Sequence, residues 1–183
     1  MRRTVPLVVT LAVALAGCFS VDGTLAADGS GRFRLTYFID RHATFRGETR
    51  RFTSQHVQLE SVHGIGNRQA IAEIRFDDVT KLGSAEAFRD VEVTRAREGG
   101  AESLRLVIRN SYDAAQRDAL ARQANENPAF VGPRVTLALP GPVLEASPDA
   151  QIDGAQVTWR VPLERYARAD QMELSVRWAA PGR

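Results

Sequence analysis

Apolar and polar side chains alternate strictly along several stretches of this 183-residue chain, and this alternation constrains the fold more than any other feature. Successive side chains of a β-strand point to opposite faces of a sheet, so an alternating run predicts a strand with one buried and one solvated face. Such runs cover residues 33–39, 135–139, 157–161 and 172–178. A sheet with one solvated face is usually antiparallel, and we therefore predict mainly antiparallel strands.

Turn residues between alternating runs predict two β-hairpins. The first joins residues 19–25 to residues 33–39 through an Ala-Asp-Gly-Ser-Gly turn at residues 27–31, because Asp and Gly tolerate the positive φ angles of tight turns. The second joins residues 91–96 to residues 104–109 through a segment that contains two glycines. Consecutive strands joined in this way indicate neighbours in one sheet.

Two helices and one further strand are predicted between the hairpins and the C-terminal strands. Residues 50–63 read as a helix that ends at a Gly-Ile-Gly segment, and residues 70–79 read as a strand. The Asn-Ser pair at residues 110–111 is a predicted N-cap for a second helix. The Asn-Pro pair at residues 127–128 closes that helix.

Together these elements predict an α+β fold, a mainly antiparallel sheet built from hairpins with about two packed helices. The last two strands each carry one tryptophan, Trp159 and Trp178, on the apolar side of the alternation. The connection between them is long enough for antiparallel pairing, so we predict that both indoles are buried on the same face of one sheet.

The N-terminal segment is predicted to be a lipoprotein signal peptide. Arg2 and Arg3 precede an apolar stretch at residues 5–14, which is too short for a membrane-spanning helix of about 20 residues. Leu-Ala-Gly-Cys follows, with a large apolar residue, two small residues and a thiol that can accept a diacylglycerol group. We predict cleavage between Gly17 and Cys18, and lipidation of Cys18.

The prediction divides the chain into a signal peptide, residues 1–17, and a single α+β domain, residues 18–183, anchored through Cys18. Acyl chains at the N-terminus give stable membrane attachment, since more than one chain is added. Phe19 stands where an aspartate usually retains lipoproteins in the inner membrane. We therefore expect a location in the cell envelope, at the periplasmic face of the outer membrane in a Gram-negative cell.

The charge balance gives no indication of nucleic-acid binding. The whole chain has 24 basic and 22 acidic side chains, and removal of Arg2 and Arg3 with the signal peptide makes the two numbers equal. Cys18 is the single cysteine of the chain, so the domain cannot form an internal disulfide. Lipidation would explain why the chain has a single cysteine at this position.

His56, Glu60 and His63 are the best candidates for a metal site, because residues spaced i, i+4 and i+7 share one side of the predicted helix. Phe52 and Leu59 fall on that same side, and a histidine in the last helical turn interacts favourably with the helix dipole. We therefore interpret both histidines as packing and capping residues. The sequence also lacks a nucleophile elbow and a phosphate loop, so we predict no metal, no cofactor and no catalytic residues.

The order of short motifs carries a family resemblance. The anchor runs directly into the strand Val-Asp-Gly-Thr-Leu at residues 21–25, and an Asp-Gly turn follows. Leu-Pro-Gly-Pro-Val-Leu-Glu-Ala stands at residues 139–146 and Gly-Ala-Gln-Val-Thr-Trp at residues 154–159. This arrangement resembles the LppM-type domain of bacterial lipoproteins. The resemblance implies an envelope module that contacts lipid or glycolipid, and it supplies no catalytic residues.

We expect the protein to be a non-enzymatic lipoprotein of the bacterial cell envelope. Its expected partners are the membrane, through the acyl chains on Cys18, and a lipid, a glycolipid or a neighbouring envelope protein. The alternative is a lipid-anchored hydrolase or metal-dependent enzyme. A binding module should present an apolar groove or patch, whereas an enzyme should bring polar groups together in a cleft.

Overall fold

The computed structural model describes residues 19–39, 43–65, 69–126 and 132–180. Three α-helices lie within these ranges: α1 (Phe45–Phe52), α2 (Ala114–Glu126) and α3 (Leu163–Arg168). Two 3-10 helices follow one another at Val79–Ser84 and Glu86–Phe88. The same ranges contain the strands β1 (Ser20–Leu25), β2 (Gly31–Phe38), β3 (Val57–Ile65), β4 (Gln69–Phe76), β5 (Val91–Glu98), β6 (Ala101–Arg109), β7 (Arg134–Ala138), β8 (Val143–Ala146), β9 (Ala150–Asp153), β10 (Gln156–Arg160) and β11 (Gln171–Ala179).

The strands form two sheets. The large sheet has seven strands in the order β3-β4-β2-β1-β7-β10-β9, and the small sheet has four in the order β5-β6-β11-β8. Among the described strands, all pairings are antiparallel except the one between β1 and β7, which is parallel. The prediction of mainly antiparallel sheets with few helices is thereby confirmed, although the described residues contain three α-helices rather than two.

Both predicted hairpins are confirmed. β1 pairs with β2, and the turn between them places Gly29 at a φ of 93°, a conformation that glycine adopts without strain. Within that turn, Asp28 Oδ1 accepts hydrogen bonds from the N–H and the hydroxyl of Ser30, at 2.9 and 2.7 Å. β5 pairs with β6 around Gly99 and Gly100, both also at positive φ.

The inward faces of the two sheets share one hydrophobic core. Buried side chains of both sheets belong to a single cluster, in which Trp159 of β10 and Trp178 of β11 are among the largest members, with 1% and 0% of their surface exposed. Alternation also holds along β4, where Ala70, Ala72 and Ile74 are fully buried. The predicted burial of both tryptophans is therefore confirmed.

The predicted pairing of the two tryptophan strands is wrong. β10 pairs with β7 and β9 in the large sheet, whereas β11 pairs with β6 and β8 in the small sheet. The chain passes from the large sheet to the small sheet between β10 and β11, across α3. Alternation specifies which side of a strand is buried, but it does not specify the neighbouring strand.

The predicted helix over residues 50–63 is also wrong. α1 lies earlier, at Phe45–Phe52, and begins at Thr44, whose hydroxyl accepts a hydrogen bond from Gly47 N at 3.1 Å. Residues that follow it form β3, which pairs with β4 along its whole length. A bulge between Leu59 and Ser61 shifts the register of β3. Apolar spacing across a bulge mixes steps of two and three residues, and this mixture imitates the period of a helix.

The second helix is present as α2, but its predicted N-cap is wrong. Asp113 Oδ1 accepts from Gln116 N at 2.8 Å, and Gln116 Oε1 accepts from Asp113 N at 3.0 Å, which is a reciprocal capping box. Asn110 is buried instead, and its amide donates to the carbonyl oxygens of Tyr166 and Ala169 at 3.0 and 3.1 Å. Asn110 therefore holds α3, and the predicted end of α2 at residues 127–128 lies outside the described residues.

Candidate functional site

Residue 19 is firmly attached to the domain. Phe19 has 3% of its surface exposed and meets the ring of Tyr166 edge-on, with 6.3 Å between the ring centroids. Its carbonyl oxygen accepts a hydrogen bond from Arg134 N at 3.0 Å. β1 begins at the next residue, Ser20, and lies in the interior of the large sheet. The chain is thus fixed in the fold from the residue that follows Cys18.

A cleft of about 530 Å³ opens beside this point. Phe19, Val161 and Pro162 give it an apolar side, and the side chains of Arg134 and Arg160 contribute positive charge. A concave surface that combines apolar and cationic groups matches the two parts of an anionic amphiphile. This cleft is the candidate functional site, because it has the groove character expected of a binding module.

The two arginines of the cleft are cross-strand neighbours. Arg134 of β7 lies opposite Arg160 of β10 in the antiparallel register, and both side chains are exposed. Asp22 Oδ2 lies 3.2 Å from Arg134 Nη2 and forms an ion pair with it. Arg160 has no ion pair within the described ranges. The site therefore presents two cations with one matching carboxylate.

Tyr166 packs beneath Phe19, and its ionisation reports on the integrity of this region. Burial, together with the negative charge of Asp90, raises the pKa of Tyr166 to about 12, whereas an unfolded tyrosine has a pKa of about 10. Between these values only the unfolded chain loses the proton. We therefore expect the contribution of Tyr166 to the free energy of unfolding to be complete below about pH 10 and lost as the pH rises to about 12.

An alkaline titration followed by tyrosinate absorbance checks this expectation, with Tyr166→Phe as the reference. The absorbance step near pH 12 in the unsubstituted protein should be missing from the variant. If the variant instead lacks an absorbance step near pH 10, Tyr166 ionises like an exposed tyrosine, and its buried position is contradicted.

The predicted lipidation and cleavage residues, Cys18 and Gly17, lie outside the described residues. His42 does as well. Across the ranges that are described, no helix is both long enough and apolar enough to cross a bilayer.

The structure separates His56, Glu60 and His63, so the helical arrangement proposed for them is wrong. His56 precedes β3, and its Nδ1 lies 3.0 Å from Asp77 Oδ1. Glu60 is the bulge residue of β3, while His63 is exposed further along the same strand, opposite Ile71. Within the described part of the chain, no three His, Cys, Asp or Glu side chains form a group that could hold a metal ion. His63 is therefore neither a helix-capping nor a packing residue, because it is exposed on a strand.

The pair of His56 and Asp77 lies beside a second cleft, of about 590 Å³. Gln55 Nε2 lies 2.9 Å from His56 Nε2. Ser54 Oγ accepts hydrogen bonds from the backbone N–H groups of His56 and Val57, both at 3.1 Å. A serine nucleophile would need its hydroxyl at the imidazole nitrogen, but an amide occupies that position here. The arrangement stabilises the turn before β3.

Sequence reasoning did not identify a buried polar cluster beneath α1. Glu48 has 3% of its surface exposed, and its carboxylate accepts from Tyr37 Oη at 2.5 Å and from Arg51 Nη1 at 2.9 Å. Burial and the adjacent Glu48 carboxylate raise the pKa of the Tyr37 hydroxyl far above its ordinary value. Phe52 packs on Tyr37 with 5.5 Å between the ring centroids. The cluster attaches α1 to the large sheet. None of its residues lines the candidate cleft.

Comparison with known proteins gives no assignment. No protein-family model matches the chain, and no curated protein matches it significantly.

Proposed function

We propose that this protein is a lipid-anchored lipoprotein of the bacterial cell envelope, with a non-catalytic domain that binds a lipid, a glycolipid or a neighbouring envelope protein. The sequence supports the anchor through its short apolar segment and the Leu-Ala-Gly-Cys motif at residues 15–18. The resemblance to LppM-type domains points to the same class of protein. Phe19 at the position after the cysteine favours the outer membrane.

One observation carries the binding proposal. The residue that would follow the lipidated cysteine is buried in the fold and forms a wall of the candidate cleft. A domain joined to its anchor in this way has the cleft close to the bilayer, where amphiphilic ligands are concentrated. The enzymatic alternative is not proposed, because the pair of His56 and Asp77 faces an amide rather than a hydroxyl.

Substitution of Cys18 by serine tests the anchor. We expect Cys18→Ser to prevent acylation, because a hydroxyl does not replace the thiol in this reaction, and the protein should remain an uncleaved precursor or lack acyl chains. Intact mass and partitioning into a detergent phase measure both effects. Ser20→Ala is the matched control, since it removes a nearby hydroxyl at the start of β1 and leaves Cys18 in place. Recovery of acylated Cys18→Ser protein would refute the proposal.

A further inference from the structure

The outer face of the large sheet carries two pairs of arginines in direct cross-strand register. Arg134 of β7 faces Arg160 of β10, and Arg32 of β2 faces Arg75 of β4. All four side chains are exposed. Like charges directly opposite each other on one sheet face are destabilising unless an anion lies between or beside them. The two pairs differ in how the fold supplies that anion.

The pair of Arg32 and Arg75 is bridged by a carboxylate within the domain. Glu60, which the bulge in β3 turns toward this pair, has Oε1 at 3.5 Å from Arg32 Nη2 and at 3.9 Å from Arg75 Nε. One carboxylate thus bridges both guanidinium groups. Both guanidinium groups of this pair therefore already have an anionic partner in the fold.

The pair of Arg134 and Arg160 has no such bridge among the described residues. Asp22 contacts Arg134 at 3.2 Å, and Arg160 has neither an ion pair nor a hydrogen bond from its side chain within those ranges. The guanidinium group of Arg160 therefore retains its donors, in a planar arrangement that suits the oxygen atoms of a phosphate. An anion placed at Arg160 would also reduce the repulsion between the two cations.

The unbridged pair is the one near the anchor. Arg134 lies opposite Ser20 in the parallel register, and its N–H donates to Phe19 O. Cys18 is bonded directly to Phe19, and consecutive Cα atoms are about 3.8 Å apart. The other pair lies further from the anchor. Arg32 is four residues along β2 from Thr36, the cross-strand partner of Ser20. Four residues of a strand span about 13 Å.

Resting on the proposed anchor, we infer that the Arg134–Arg160 pair is a docking surface for the phosphate groups of anionic phospholipids in the same bilayer that holds the acyl chains. The domain then lies with the Ser20 end of β1, and the ends of β7 and β10 beside it, against the membrane surface. Charge complementarity and the absence of a tether between Cys18 and the fold support this orientation. The bridged pair of Arg32 and Arg75 lies on the same face, about 13 Å further from the headgroups along the strands.

The test uses the full-length lipidated protein and two variants, Arg160→Gln and Arg75→Gln. Each variant loses one charge from one pair and keeps the ion pair of the remaining arginine. The proteins are diluted from detergent into a mixture of two vesicle populations of different density. One is phosphatidylcholine, and the other is three parts phosphatidylcholine to one part phosphatidylglycerol. Flotation then gives the ratio of protein on the two populations.

At about 0.1 M salt, where charges act over about 10 Å, the unsubstituted protein should prefer the anionic vesicles. Arg160→Gln should reduce this preference about 5-fold, since a basic residue near an anionic surface contributes about 1 kcal/mol, while Arg75→Gln should retain it. An equal reduction in both variants, or no preference in the unsubstituted protein, would overturn the inference. At about 1 M salt every variant should still float, so protein that floats with neither population would refute the anchor itself.

Discussion

Replacement of Trp159 by alanine is expected to lower the free energy of unfolding by about 3–5 kcal/mol, the usual cost of truncating a large buried aromatic side chain. Trp159 has 1% of its surface exposed, and its Nε1 donates to Ser147 Oγ at 2.9 Å. Ser147 Oγ also accepts from Ser175 N of β11, at 3.1 Å. The indole thus connects the large sheet to the small sheet, and its loss leaves a cavity between them. Such a loss is a large share of the roughly 5–15 kcal/mol stability of a domain.

Urea unfolding followed by circular dichroism measures the effect, and a pair of phenylalanine variants provides the control. Trp159→Phe removes the bond to Ser147, whereas the indole N–H of Trp178 has no partner within the described residues. We therefore expect Trp159→Phe to cost about 1 kcal/mol or more beyond Trp178→Phe, the difference of one hydrogen bond. Acrylamide should quench neither indole in the folded protein. Unchanged stability of Trp159→Ala, or ready quenching of either indole, would contradict the shared core.

Glu48→Ala is expected to cost about 1–3 kcal/mol, because the buried Tyr37 hydroxyl loses its hydrogen-bond acceptor and is left unsatisfied. The substitution takes the acceptor from the buried Tyr37 hydroxyl and from the guanidinium group of Arg51, which is 22% exposed. It also removes the polar attachment of α1 to the large sheet. We expect α1 to separate from the sheet at lower denaturant concentration than the rest of the fold.

The control for this substitution is Glu164→Ala in α3. Glu164 forms an ion pair with Arg168 at 3.0 Å, but both side chains are at least half exposed, so its removal should cost less than about 1 kcal/mol. Hydrogen exchange of the α1 amides, measured together with the unfolding midpoint, locates the destabilisation. Equal midpoints for the two alanine variants would show that the cluster beneath α1 contributes little to stability.

Local patterns in the sequence predicted the hairpins correctly because both partners and the turn are close together in the chain. Residues 27–31 supply the turn chemistry of the first hairpin, and the alternation on either side defines its buried face. The same information cannot predict that β1 also pairs with β7, since that pairing depends on the complete sheet. For the same reason, Trp159 and Trp178 were correctly predicted as buried but wrongly placed in one sheet.

The candidate cleft and the buried cluster beneath α1 could be predicted from the sequence only in part. The short apolar segment before Cys18 predicts an anchor from local residues alone, and that remains a prediction. Arg134 and Arg160 become neighbours through strand register, and Glu48 is buried through the packing of a short, mostly polar helix. No periodic pattern marks either relationship. At Glu60 the local pattern was present but misleading, because the bulge gave the apolar residues of a strand a spacing like that of a helix.

If the protein is exported as proposed, the parallel pairing of β1 with β7 has a consequence for the order of folding. Asp22 and Arg134, which join these strands by an ion pair, are 112 residues apart in the chain. In such an exported chain the residues after the signal peptide would cross the membrane first, so β1 could pair at once with β2. Its other edge would stay open until most of the domain had followed. Closure of such long loops slows folding. An anchored chain would therefore stay incompletely folded at the membrane surface, with only its first hairpin formed. The later segment that contains β7 and β10 would then complete the sheet beside the lipid.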